Sequence, residues 1–132
     1  MGVKFFFDEC LGHNLAKGLG LAGKNIEHVL DTFPDGTKDE EWLKYVGDNN
    51  LVLVTKDKGI KRKPNEKALL IKYKIVAFYL GGSEKSGHDI LKQLVNAWEN
   101  MELKAKTQLK TKRAGAFLVN PHGTKIEPIP LT

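Results

Sequence analysis

Apolar positions along this chain alternate between two patterns. Residues 3–7, 26–30, 51–55 and 75–80 are short strand candidates; all but 26–30 are mostly apolar runs, the signature of strands buried on both faces of a parallel sheet. Between them the spacing widens to the helical period. Leu11, Leu15 and Leu19 recur every four residues and predict a helix ending near Gly20 to Gly23. After a turn at Pro34-Asp35-Gly36, Thr37-Lys38-Asp39-Glu40 offers a capping-box start. Trp42, Leu43 and Val46 give that helix a buried face, and Asp48-Asn49-Asn50 stops it. A short helix is expected over residues 66–72. A long one follows the capping pair Ser86 and Asp89, with Ile90, Leu91, Leu94, Val95, Trp98 and Met101 as its stripe.

Strands alternating with helices at this spacing form βαβ units, which connect right-handedly into a parallel sheet covered on both faces. The end differs in character: residues 116–120 and 124–127 flank Pro121-His122-Gly123 and suggest a small hairpin or an extended tail. With no internal repeat and no linker, residues 1–132 read as a single α/β domain. Its core spans about 3–100 and a basic extension about 104–132.

Length and composition narrow the class. A chain of 132 residues suits one core, and 41% hydrophobic with 28% charged residues excludes wholesale disorder. The apolar runs fall far short of the roughly 18 residues of a membrane span, so no membrane association is expected. The lone Cys10 supports neither an internal disulfide nor a cysteine zinc site. The acidic pair Asp8-Glu9 is unlike a secretory leader, and a cytoplasmic location is the expectation. Charge is uneven. Residues 1–55 carry five Lys against nine Asp/Glu, a net −4; residues 56–132 carry sixteen Lys/Arg against seven Asp/Glu, a net +9. Such halves suit a cation site whose surroundings attract a polyanion, and equally an uneven solubilising surface.

Ligands of open parallel sheets bind beyond the carboxyl ends of the strands. Asp8 directly follows the first run, Asp57 follows the third with only Lys56 between, and Asp39 opens the helix after the second. Topology therefore brings the three to one edge. Clustered carboxylates repel, by about 4 kcal/mol for a pair 4 Å apart at an effective dielectric near 20. A hard divalent cation, Mg2+ or Mn2+, relieves that repulsion and suits phosphodiester hydrolysis. Glu9 and Glu41 lie near enough to join as ligands. Each acid also has a plain reading: Asp39 as a first-turn acid against the helix dipole, Asp57 as a turn residue before Gly59, Asp8 as a strand-end cap. Lys56, Lys58, Lys61, Arg62 and Lys63 crowd eight positions around Asp57, as a phosphate-gripping loop or as a solvated charge run. Lys110, Lys112 and Arg113 form a second basic patch. His28 is expected to pack or hydrogen-bond at a strand end.

Phe7-Asp8-Glu9-Cys10-Leu11-Gly12, Asp39-Glu40-Glu41-Trp42-Leu43 and Leu53-Val54-Thr55-Lys56-Asp57-Lys58, in that order, resemble the PIN-like nuclease families. Lys61-Arg62-Lys63-Pro64 with Glu66 looks like the short branch related to VapC-type toxins of bacterial toxin–antitoxin systems. The resemblance covers about residues 3–100. It implies a PIN-like three-layer α/β/α fold with a central, mainly parallel sheet. It also implies a Mg2+- or Mn2+-dependent endoribonuclease acting on RNA, the toxin of a type II module neutralised by an antitoxin protein. Asp8, Asp39 and Asp57 match the family's catalytic acids. Longer PIN domains carry a further glutamate on a helical segment between the first two, and this chain lacks that segment; Glu9 or Glu41 would have to compensate. The alternative is a catalytically weak PIN-like module that binds RNA or a protein. A homodimer is left open.

Overall fold

The computed structural model describes residues 2–82 and 85–132. The chain runs β1 (Phe5–Phe7), α1 (His13–Leu21), β2 (Ile26–His28), α2 (Val29–Thr32), α3 (Asp39–Asp48) and β3 (Val52–Lys56). A 3-10 turn at Ile60–Arg62 then leads into α4 (Pro64–Tyr73), β4 (Val76–Leu80), α5 (Gly87–Lys110), β5 (Gly115–Val119) and β6 (Ile126–Ile129). The strands form one sheet in the order β2-β1-β3-β4-β5-β6. Neighbours from β2 through β5 are parallel, and only β6 is antiparallel, to β5.

Successive strand side chains point to opposite faces, so one run of sequence feeds two cores. Phe5, Phe7, Val52, Val54, Val76 and Phe78 pack with Leu19 of α1 and Leu94, Trp98 and Met101 of α5. Phe6, Leu53, Ala77 and Tyr79 pack on the other face with Trp42, Leu43 and Val46 of α3 and Leu70 of α4. That is a three-layer α/β/α arrangement around a mainly parallel sheet. Because both faces are covered, Phe6, Phe7, Val52 and Phe78 have essentially no exposure.

Four local expectations change. The second strand stops at His28, whose ring accepts the Leu30 N–H while Asp31 accepts the His28 N–H, so a capping box starts the short α2. The capping box predicted at Thr37 does not form: Thr37 Oγ1 donates to the Pro34 carbonyl, and Lys38 is the N-cap without a side-chain bond. Ser86 does accept the Asp89 N–H, and α5 continues past Met101 because Ala105 extends the buried stripe. Finally, the segment expected to extend from about residue 104 is the last part of α5 plus two strands of the same sheet. Ala116 to Val119 lie in register with Ala77 to Leu80, and Ala105, Val119 and Ile129 are buried in the cores. Among the described residues no helix is long and apolar enough to cross a membrane.

Candidate functional site

Strand β1 has β2 on one side and β3 on the other, so chain order reverses there. Connections leaving the carboxyl ends on either side of such a point diverge and leave a crevice. A cavity of about 480 Å³ opens at that place. Asp8, Glu9 and Cys10 reach it from the end of β1, Asp39 and Trp42 from the start of α3, Thr55, Lys56 and Lys58 from the end of β3, and Glu66 from α4.

Asp8 is the most constrained of the acids. Its Oδ1 accepts the Cys10 N–H at 3.0 Å, and its Oδ2 accepts the Thr55 hydroxyl at 2.6 Å. Burial nevertheless pushes its carboxyl above the ordinary aspartate range, and the neighbouring negative charge of Asp39 adds to the rise. The two hydrogen bonds and the Lys58 ammonium act the other way without overcoming it. The Cys10 sulfur and, less strongly, the Asp8 carboxyl raise the Lys58 ammonium above its ordinary range. Asp39 is exposed at the first position of α3 and faces the same cavity.

The other expected residues divide. Glu9 lines the cavity, whereas Glu41 is exposed and does not. Asp57 lies outside the lining; its Oδ1 accepts the N–H groups of Gly59 and Ile60, both at 3.0 Å, and so shapes the turn into Ile60–Arg62. Gly59 sits at φ 87°, the left-handed conformation that this turn requires. Lys56, Lys58 and Lys63 border the cavity, while Lys61 and Arg62 are exposed on the turn beside it. His28 is buried as expected; since its Nδ1 accepts from Leu30, its Nε2 carries the proton and donates to the Leu11 carbonyl at 2.8 Å.

Three residues, Glu66, Tyr79 and Thr55, enter that sequence reasoning did not assign to the site. Glu66 faces the cavity, and its Oε2 accepts the Tyr79 hydroxyl at 2.9 Å. Burial, then the Glu66 charge, drives the Tyr79 phenol far upward, so it stays a donor at any ordinary pH. The signal for Glu66 was present: Pro64 opens α4, which places Glu66 in the first turn at the same sheet edge, as Asp39 is in α3. Thr55 carries no such signal.

Among the described residues, no three His, Cys, Asp or Glu side chains gather closely enough to hold a metal ion by themselves. The donors facing the cavity still fit a hard cation. Asp8 and Asp39 offer only oxygen, and their repulsion is what a cation removes. Magnesium is ordinarily held by one or two carboxylates with water and substrate phosphate completing its shell.

No curated protein and no solved structure matches this chain. Residues 3–82, which run from β1 through β4 and contain every acid of the candidate site, match the PIN-like domain family, and the chain belongs to that family.

Proposed function

We propose that this protein is a Mg2+- or Mn2+-dependent endoribonuclease, the toxin of a type II toxin–antitoxin module, with RNA as substrate and an antitoxin protein as its neutralising partner. The observation that carries the nuclease reading is the pair Asp8 and Asp39, repelling each other across a cavity at the sheet's switch point beside a loop of five cations. The toxin assignment is supported by the likeness of the Asp8, Asp39 and Asp57 segments to the VapC-related branch.

In this reading Asp8 and Asp39 are the principal ligands, and Asp57 contributes Oδ2, the oxygen its turn does not use. A bound ion supplies charge stabilisation at the phosphoryl oxygen and a more acidic water. The chain's own residues do the rest. The Cys10 N–H and the Thr55 hydroxyl fix the orientation of the Asp8 carboxylate. Tyr79 anchors Glu66 by one oxygen, leaving the other to take a proton from the attacking water. Lys56, Lys58, Lys61, Arg62 and Lys63 hold phosphates on either side of the scissile bond.

A single-stranded RNA, end-labelled and incubated with purified protein, tests this. Cleavage should require Mg2+ or Mn2+, stop on chelation, and vanish in Asp8→Asn and Asp39→Asn while RNA binding persists. Full cleavage by a clean Asp8→Asn preparation would reject the assignment. A second reading, a weakly catalytic RNA-binding module, is favoured by the absence of a preformed three-acid cluster among the described residues. It gives RNA binding without turnover at any metal concentration.

A further inference from the structure

At the opposite edge of the sheet, where the strands begin, lies a second cavity of about 700 Å³. Its walls are the ends of three helices: Asp48 and Asn50 at the end of α3, Lys72 to Lys74 at the end of α4, and Lys110, Lys112 and Arg113 at the end of α5. Among the described residues the single carboxylate on the wall, Asp48, is already paired with Lys44 at 2.9 Å. Lys72 is paired with Glu40. Among the described residues Lys74, Lys110, Lys112 and Arg113 have no carboxylate within ion-pair distance, and all four are exposed.

A cation near a helix C-terminus has an ordinary explanation, since it offsets the negative end of the macrodipole. That explanation does not cover the backbone. Lys74 at φ 56° and Lys112 at φ 58° adopt the left-handed conformation, and among the described residues Asn50 at φ 53° is the remaining non-glycine residue that does. All three line this cavity. Glycine occupies such helix-end positions at no steric cost, whereas a lysine there is strained. A lysine that served only the dipole could sit anywhere in the last turn. Strained lysines at two separate helix ends, aimed into one groove, indicate that the side chains themselves are used.

We propose that this groove is a second phosphate-binding surface, which holds the backbone of single-stranded RNA on the side of the sheet away from the acidic cavity. The groove has exposed cations on flexible stems, from two separate chain segments, and, among the described residues, no buried polar side chain on its wall to orient a small molecule. That is the form of backbone recognition. The choice of RNA over an acidic polypeptide rests on the nuclease reading above.

Binding of a fluorescent single-stranded oligouridylate, measured in chelator so that no cleavage intervenes, tests the groove. The variant Lys74→Gly/Lys110→Ala/Lys112→Gly/Arg113→Ala removes the four cations and relieves the backbone strain, so it should melt no lower than the parent. Each lost contact should flatten the salt dependence by about 0.7, so across a fourfold rise in salt the parent should lose about fifty-fold more affinity than the variant. A control with equal charge loss, Lys17→Ala/Lys92→Ala/Lys104→Ala/Lys106→Ala, should keep the parental slope. Equal slopes in the parent and the groove variant, or equal losses in both variants, would overturn the proposal. So would displacement of the RNA by polyglutamate at matched charge, which would point to an acidic protein instead. Groove-dependent binding by a protein that cleaves nothing would sink the nuclease reading alone; cleavage with an inert groove would sink this proposal alone.

Discussion

Thr55→Val separates the electrostatics of the acidic cavity from its packing. Thr55 is 6% exposed, and valine keeps its shape, so the change deletes one hydroxyl and with it the 2.6 Å bond to Asp8 Oδ2. An ionised, half-buried oxygen left short of a donor costs about 1.5–3 kcal/mol. In a domain of this size that lowers the melting temperature by roughly 5–12 °C. The sign with pH follows from Asp8, whose carboxyl already titrates above its ordinary value through burial and the charge of Asp39. A carboxyl raised in the folded state contributes stability that is fully present below its unfolded pKa, about 3.9, and is lost as pH rises through the folded value. Removing a bond that favours the charged form raises the folded value further. The deficit of Thr55→Val should therefore be small near pH 3, grow with pH, and level off once Asp8 is ionised in both proteins. Thermal melts of the two metal-free proteins across that range provide the assay. Affinity for Mn2+ should also fall at neutral pH, because a ligand that binds only when deprotonated has become harder to deprotonate. A deficit of the same size at both pH extremes would show that Thr55 matters for packing alone.

Other substitutions probe the remaining elements. Asp8→Asn removes the buried charge, so without metal it should melt higher than the parent near neutral pH, with the gain disappearing below about pH 3.9, where aspartate is protonated in either state. Gly47→Ala, in the last turn of α3, would place a Cβ 2.3 Å from the Tyr73 carbonyl oxygen, and forcing α3 and α4 apart should cost about 1–3 kcal/mol in urea denaturation. Replacing Lys58, Lys61, Arg62 and Lys63 with Ala should flatten the salt dependence of RNA binding by about 0.7 per lost contact while Mn2+ affinity holds. An unchanged slope would reduce that loop to a solvated surface.

The central strands were legible because a parallel sheet covered on both faces demands apolar runs, and Phe5 to Phe7 or Leu51 to Val54 serve no other element well. Asp8 and Asp39 followed from topology alone, since the carboxyl edge is where a βαβ order delivers such acids. Asp57 was harder, because a turn-forming aspartate and a metal ligand carry the same side chain and only the N–H groups of Gly59 and Ile60 distinguish the bonds it makes. Glu66 returns to the cavity through the 3-10 turn at Ile60–Arg62, a change of direction written in local turn chemistry rather than periodicity. The last two strands were legible as a hairpin, which β5 and β6 form, but not as part of the main sheet. Gly115-Ala116-Phe117 is short and half-covered, and its place in the main sheet comes from pairing with Val76 to Phe78, which is a tertiary contact.

Direct Mn2+ binding tests the acidic cavity most plainly. Electron paramagnetic resonance of the free ion, followed as protein is titrated near neutral pH, counts the ions removed from solution without requiring a substrate. The expected result is a saturable site in the parent protein that is lost in Asp8→Asn and in Asp39→Asn, since each removes one of the two charges that repel across the cavity. Undiminished binding in both variants, or no binding in the parent even with RNA present, would contradict a metal centre at the carboxyl edge of β1.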